Sequence, residues 1–437
     1  MRTFLLLLSL IGQFSLSIAQ KTEFKVEHFK IGTTSVPAES EVKLVLGERF
    51  QQYNWYPKSS KDHLDKSIFS PKSAKFSDNG KKLYIQSLEG YSTSVYSMDS
   101  MERTKVVKHA FNSSHANLFK NDENTVFDYA YRYRTSNFNS FSGKPVESTL
   151  SHNGKYLWIT YYRRSFDKNA ISPSAVAIMD TETDSIVRVM PTGPLPKMIA
   201  ASPDNNFVAV THWGDNTIGI IDISGDDPMQ FKYVKHFVVD YRQKLNFKPG
   251  VKVNRDVNCG YCLRGTVFTP DSKHLLVGRM GGGGIAVFEM DSLNYQGTVF
   301  GMQSNIRHLA IENDELFIGC NRTGYVQKTN LEAFLKAKES NPNGKVTFND
   351  WQGTHVGYGV RTIEVTSDGK YIFACVNGKN KIVVIRSSDM KQVASIGADS
   401  FPVGMALSPD NKKLVVTAQG KSGKGGGNSV MIYDITY

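Results

Sequence analysis

The chain has 437 residues, with 52 Lys and Arg against 41 Asp and Glu, which gives a formal charge of +11. Its 40% hydrophobic and 21% charged residues allow a sizeable core and exclude wholesale disorder. Four cysteines in so long a chain exclude a disulfide-scaffold mini-protein, and the length exceeds one ordinary layered domain unless repeats build it.

Arg2 is followed by an apolar run over 4–11 and by the small-x-small site Ser17-Ile18-Ala19 before Gln20. This is the pattern of a secretory signal peptide, assigned to residues 1–19. Gln13 and Ser15 break the run, which is too short for a comfortable membrane anchor, and no other stretch has the length of a transmembrane segment. The mature chain, 20–437, is expected to be one exported domain in a periplasm, at a cell surface or in the medium. An exported chain meets an oxidising compartment.

From there one unit recurs seven times: an apolar strand, a turn, a second apolar strand, a loop and a third strand often ending in Asp. The first turn reads Ser77-Asp78-Asn79-Gly80, then Ser151-His152-Asn153-Gly154, then Ser202-Pro203-Asp204-Asn205. Later copies are Thr269-Pro270-Asp271-Ser272, a shorter one at Glu312-Asn313-Asp314, Thr366-Ser367-Asp368-Gly369 and Ser408-Pro409-Asp410-Asn411. Pro presets such a turn and Asp or Asn bonds back to the backbone, so this is hairpin chemistry. β-branched and aromatic runs follow each turn, and only 331–338 reads as a helix, inserted in the fifth unit. The pattern predicts an all-β, seven-bladed β-propeller. The chain ends one strand short in the last blade, and a strand within 25–46 is expected to complete it and close the ring.

The segments MIAASPDNNFVAVTHWGDNTIGIIDIS at 198–224 and FPVGMALSPDNKKLVVTAQG…NSVMIYDI at 401–435 resemble repeats of the YVTN family. These are surface-layer-like or YncE-like, broadly WD40-like, seven-bladed propellers. The resemblance spans nearly the whole mature chain and implies the fold, with ligand binding or assembly as common roles. It transfers no functional residue, because the motif is structural.

Aligning the copies on the first turn exposes one column, five residues before the turn Ser or Thr. It holds Lys72, Val146, Lys197, Arg264, Arg307, Arg361 and Val403, so five of seven positions are cationic. Innermost strands line a propeller's channel, so these side chains are expected to crown its mouth. Pairing with acidic neighbours or snorkelling at unrelated heights is the alternative. Converging like charges are destabilising unless an anion binds there. Second-strand ends on the same face carry Tyr161, Tyr162, Arg163, His212, Trp213 and Arg279. Arg beside aromatics suits sugar rings, bases or carboxylates, and inter-blade packing is the competing reading for Tyr161 and Trp213. Long connections over 47–70, 112–145, 241–262 and 341–359 gather there with Tyr53, Trp55, Tyr56, Tyr131, Tyr133, His355 and Tyr358.

Cys259-Gly260-Tyr261-Cys262 lacks the following His of a haem site and the following helix of a redox dithiol, and is expected to form a local disulfide. Cys320 and Cys375 read as buried thiols or an inter-blade disulfide. The glycine runs at 281–284 and 420–427 lack phosphate-loop spacing and read as mouth loops, the latter with Lys421 and Lys424. The turn carboxylates are spoken for, leaving Glu147 and Asp215 near the mouth. No cofactor or metal constellation is present in the pattern. The expected function is binding of an anionic ligand, such as an acidic polysaccharide, at the channel mouth. Nucleic acid and an acidic protein surface are the other partners the pattern admits. The enzymatic alternative is a lyase on an acidic polysaccharide, with His212 or Tyr161 as proton acceptor.

Overall fold

The computed structural model describes residues 27–52, 58–120, 137–244, 252–342, 344–420 and 428–437. The signal segment 1–19 and Tyr53, Trp55, Tyr56, Tyr131, Tyr133, Lys421 and Lys424 lie outside them.

Seven small antiparallel sheets form a ring, a seven-bladed β-propeller. The innermost strands, in order, are Pro71–Phe76, Phe141–Ser151, Pro196–Ala201, Leu263–Phe268, Ile306–Glu312, Val360–Val365 and Pro402–Leu407. Each packs against the next, and the seventh returns to the first. We number the blades 1–7 by these strands.

Alternation along each second strand sends neighbouring side chains to opposite interfaces. Leu275 packs toward blade 3 and Leu276 toward blade 5; Phe317 packs toward blade 6 and Leu316 toward blade 4. The outcome is seven apolar clusters, one at each blade–blade interface. Cys375 lies between blades 6 and 7 and Cys320 between blades 4 and 5. They are separate buried thiols, and burial pushes both up to about 12.

The turn chemistry repeats as the sequence predicts. Ser202 Oγ donates to Asp204 at 2.5 Å, and Thr269, Thr366 and Ser408 each donate to the Asp two residues on at 2.6 Å. The same hydroxyls accept from the backbone N–H groups of Phe207, His274, Tyr371 and Lys413. These carboxylates are thus occupied far from the mouth.

Ring closure uses an N-terminal strand, as expected, that begins inside the expected window and runs five residues past it. Lys43–Gln51 pairs antiparallel with Ser429–Thr436, and Asp62–Leu64 adds in parallel outside it. Within 25–46 only the last four residues join that strand; Thr34 and Val36 make isolated bridges to Val45 and Ser395. One expected loop, 341–359, also holds regular structure. Leu331–Glu339 is the predicted helix in blade 5, and beyond it Gln352–His355 forms that blade's outer strand. Between them Val346–Thr347 pairs with the outer strand of blade 4.

The closing strand is pinned by Arg49. Its guanidinium donates to both carboxylate oxygens of Asp62, at 3.0 and 2.5 Å, to Asp399 at 3.2 Å and to the Phe29 carbonyl at 2.8 Å. All three charged side chains are buried, and Ser429 adds a 2.8 Å bond to Asp399. Burial opposes ionisation of Asp399, but the hydrogen bond from His28 and the charge of Arg49 hold it below the usual carboxylate range. Removing the cation would strand two buried carboxylates. Arg49→Met is expected to lower unfolding free energy by about 3–5 kcal/mol in urea titration; an unchanged midpoint would contradict this closure.

Candidate functional site

In every blade the register between first and second strands breaks at the cationic column. The breaks fall between Pro71 and Ala74, Pro145 and Ser148, Pro196 and Met198, Leu263 and Thr266, Ile306 and His308, Val360 and Ile363, and Pro402 and Gly404. A bulged residue leaves the ladder and its side chain is re-aimed. Seven such bulges around one axis bring side chains from different blades to one place.

Lys72, Lys197, Arg264, Arg307 and Arg361 all line a single cavity of about 480 Å³. Val146 shares the wall, and where blade 2 has this valine, Lys144 two residues earlier supplies a cation. Arg163 and Lys168 add two more, against only Glu89 and Asp256 among the lining acids.

Several of the cations are compensated. Arg264 lies 2.6 Å from Glu147, Lys197 2.5 Å from Asp256, and Lys144 2.6 Å from Glu89. Lys72, Arg307 and Arg361 have no acidic partner among the described residues. Arg307 reaches only the Met280 sulfur at 3.6 Å, and Arg361 lies 5.1 Å from the Phe401 ring centre. Its Nε is buried without an acceptor.

The consequence is electrostatic. Burial, reinforced by Arg361, Arg264 and Arg307 and opposed by Glu147, pushes the Lys72 ammonium well below the usual lysine range. Arg307 and Arg361 feel the same pressure but keep their charge as guanidiniums.

Of the second-strand residues, Tyr162, Arg163 and Trp213 reach the cavity. Trp213 is only 9% exposed, packs on Leu195, Ala170 and Cys259, and has Lys197 Nζ 3.9 Å from its ring centre. Cys259 and Cys262 form the expected disulfide, with sulfurs 2.09 Å apart. It ties the loop carrying Asn254 and Asp256 to the start of Leu263–Phe268. Arg255 anchors the same loop, donating to the carbonyls of Asn258 and Lys244 at 2.9 and 2.5 Å.

Three expected site residues are elsewhere. His212 and Tyr161 are fully buried, and Arg279 is 3% exposed. His212 bonds Thr192 at 2.7 Å and Thr217 at 2.8 Å, and burial with His236 and Arg242 nearby pushes it well below the usual range, so it stays neutral. Tyr161 donates or accepts at His109 Nδ1, 2.8 Å away, inside the cluster between blades 1 and 2. Arg279 contacts Asp240 at 3.2 Å and Thr298 at 2.9 Å, with Tyr261 stacked on it. Pleat alternation at these strand ends points the side chains between sheets rather than at the axis. Asp215 is likewise buried, accepting from Thr217 at 2.7 Å. The lyase reading thereby loses both of its named proton acceptors.

Lys144, Lys168, Glu89 and Asp256 went unrecognised in the sequence. Only Lys144 carried a signal, standing two residues before the valine that occupies the column.

A second cavity of about 300 Å³ holds Lys75 and Glu364, three residues along from Lys72 and Arg361. Burial, with only Lys75 opposing it, pushes Glu364 up to about 7. No cluster of three metal-ligating side chains occurs among the described residues, and none of their helices is long and apolar enough to cross a membrane.

No protein-family model and no curated protein matches the chain. Solved structures do resemble it. The propeller domain of Myceliophteria thermophila Cps50 (Swd1) aligns with a TM-score of 0.57 at 12% identity, over 84% of this chain and 97% of that one. Kuenenia stuttgartiensis hydrazine synthase gives 0.55 at 13% identity, over 86% and 98%. A chain of the mitotic checkpoint complex gives 0.54 at 13%, over 85% and 90%. At these identities the likeness establishes the propeller fold and nothing about chemistry.

An ammonium with a lowered folded-state pKa costs stability at neutral pH. That cost fades as pH rises toward the unfolded lysine value of about 10.4. Lys72→Met is therefore expected to stabilise the ligand-free protein at pH 7 by about 1–2 kcal/mol. The gain should shrink toward pH 10. Destabilisation at pH 7 would show that Lys72 has a partner.

Proposed function

We propose that this protein is an exported propeller that binds an anionic ligand over the basic mouth of its channel. The observation that carries the reading is the cavity itself: five cations from one repeat position meet there, and Lys72, Arg307 and Arg361 lack acidic partners among the described residues. A fold that merely needed a closed ring gains nothing from uncompensated like charge that is buried at Arg307 and half-buried at Lys72 and Arg361. An anion supplies the missing counter-charge. Export is supported by the leader pattern at 1–19 and by the Cys259–Cys262 disulfide, which suits an oxidising compartment. The YVTN-like character rests on the repeat segments quoted above.

Binding of sulfated heparin oligosaccharide and of single-stranded DNA, measured at 50 and 200 mM salt, tests this reading. Neutralising about three ligand charges should make affinity fall by roughly ten- to fifty-fold between those salts. Arg307→Ala or Arg361→Ala should weaken binding at least about tenfold, or about 1.4 kcal/mol. Absence of binding to any polyanion would refute it and leave a protein-interaction scaffold. Tyr241, Val257 and Tyr358, exposed at 48%, 76% and 63% on loops, would then be the first surface to probe. Incubation with uronate-rich polysaccharides is expected to yield no unsaturated product.

A further inference from the structure

Within the anion-binding reading, on which this inference rests, the cavity narrows the ligand's chemistry. We propose that it takes a compact oxyanion group carrying at least two negative charges, bound end-on at Lys72, Arg307 and Arg361, either free or as the terminal group of a longer chain.

Three observations lead there. First, the trio lines one cavity of about 480 Å³, a cup with room for a compact anion or the end of a longer chain. Second, its aromatic faces are taken. Lys197 lies over Trp213 at 3.9 Å and over Tyr162 at 5.3 Å, so among the described residues neither aromatic ring of the lining offers that face for stacking. Third, Arg264, Lys197 and Lys144 are matched by Glu147, Asp256 and Glu89, so within the repeat column the uncompensated charge is the trio's, with Arg163 and Lys168 adding further positive charge in the lining. Two of its members are forked guanidiniums, suited to oxygens of one phosphate, sulfate or carboxylate group, and the third is a point charge. The buried, acceptor-less Nε of Arg361 is one donor that such a group would satisfy.

The test is calorimetric titration of the mature chain with inorganic phosphate, pyrophosphate, tripolyphosphate and long-chain polyphosphate at constant ionic strength. Pyrophosphate should bind at least about tenfold tighter than phosphate and should displace heparin oligosaccharide. Long-chain polyphosphate should bind through its ends, at no more than two proteins per chain whatever its length. Binding of the free anions and of the chain ends is read separately by these arms. Arg307→Gln combined with Arg361→Gln should abolish pyrophosphate binding, whereas Lys391→Gln, on an outer strand, should not change it. Melting curves of each variant report folding. If heparin binds but pyrophosphate neither binds nor competes, or if stoichiometry grows with chain length, the end-on cup is wrong while anion binding stands. If nothing anionic binds, the broader reading fails with it.

Discussion

Everything distinctive about this molecule follows from like charge held where the fold brings it together. A propeller forces equivalent positions of its repeats onto a common axis. A substitution that is harmless in one blade therefore becomes a collective field when five blades carry it. The bulge at the second residue of the five innermost strands that carry the cations is the local device that turns the side chain out of the ladder and into the cup. Burial then amplifies the repulsion, as the depressed Lys72 ammonium records. Three acids moderate the field without cancelling it.

Such a concentration of charge needs a rigid frame. The seven interface clusters provide it, each shared by two blades, so no blade moves without disturbing two cores. The weak point of any ring is its seam. Here the seam is closed by eight paired positions between Lys43–Gln51 and Ser429–Thr436 and by the Arg49–Asp62–Asp399 network. The same chemistry thus serves two ends. At the seam a buried cation is fully matched and contributes to closure, while at the mouth buried Arg307 and half-buried Lys72 and Arg361 are left without an acidic partner among the described residues.

The repeat fold was legible because it is written in local chemistry: a hydroxyl with Asp two residues on at four turns and with Asn there at two more, then a β-branched run. The cationic column was legible for the same reason, since every blade offers the same register position. Residues outside that register were not. Asp256 sits in a loop shaped by Arg255 and a disulfide, and Lys168 in another loop, so no repeat pattern points to either. The assignment of His212, Tyr161 and Arg279 to the mouth erred for a definable reason. At the ends of second strands alternate side chains face neighbouring sheets, so Tyr162, Arg163 and Trp213 reach the cavity while His212, Tyr161 and Arg279 do not. Their polar atoms are satisfied within those interfaces by Thr192, Thr217, His109, Asp240 and Thr298. The closing N-terminal strand was legible, but its bounds were set too early, because its hydrophobic signal continues past 46, through Phe50.

Anomalous diffraction from crystals of the mature protein grown with tungstate, a compact dianionic oxyanion, tests the central claim most directly. The predicted result is a strong peak inside the cup, in contact with Lys72, Arg307 and Arg361, that disappears in the doubly substituted Arg307→Gln, Arg361→Gln protein. A cup without tungstate, with peaks only on the outer surface, would contradict it.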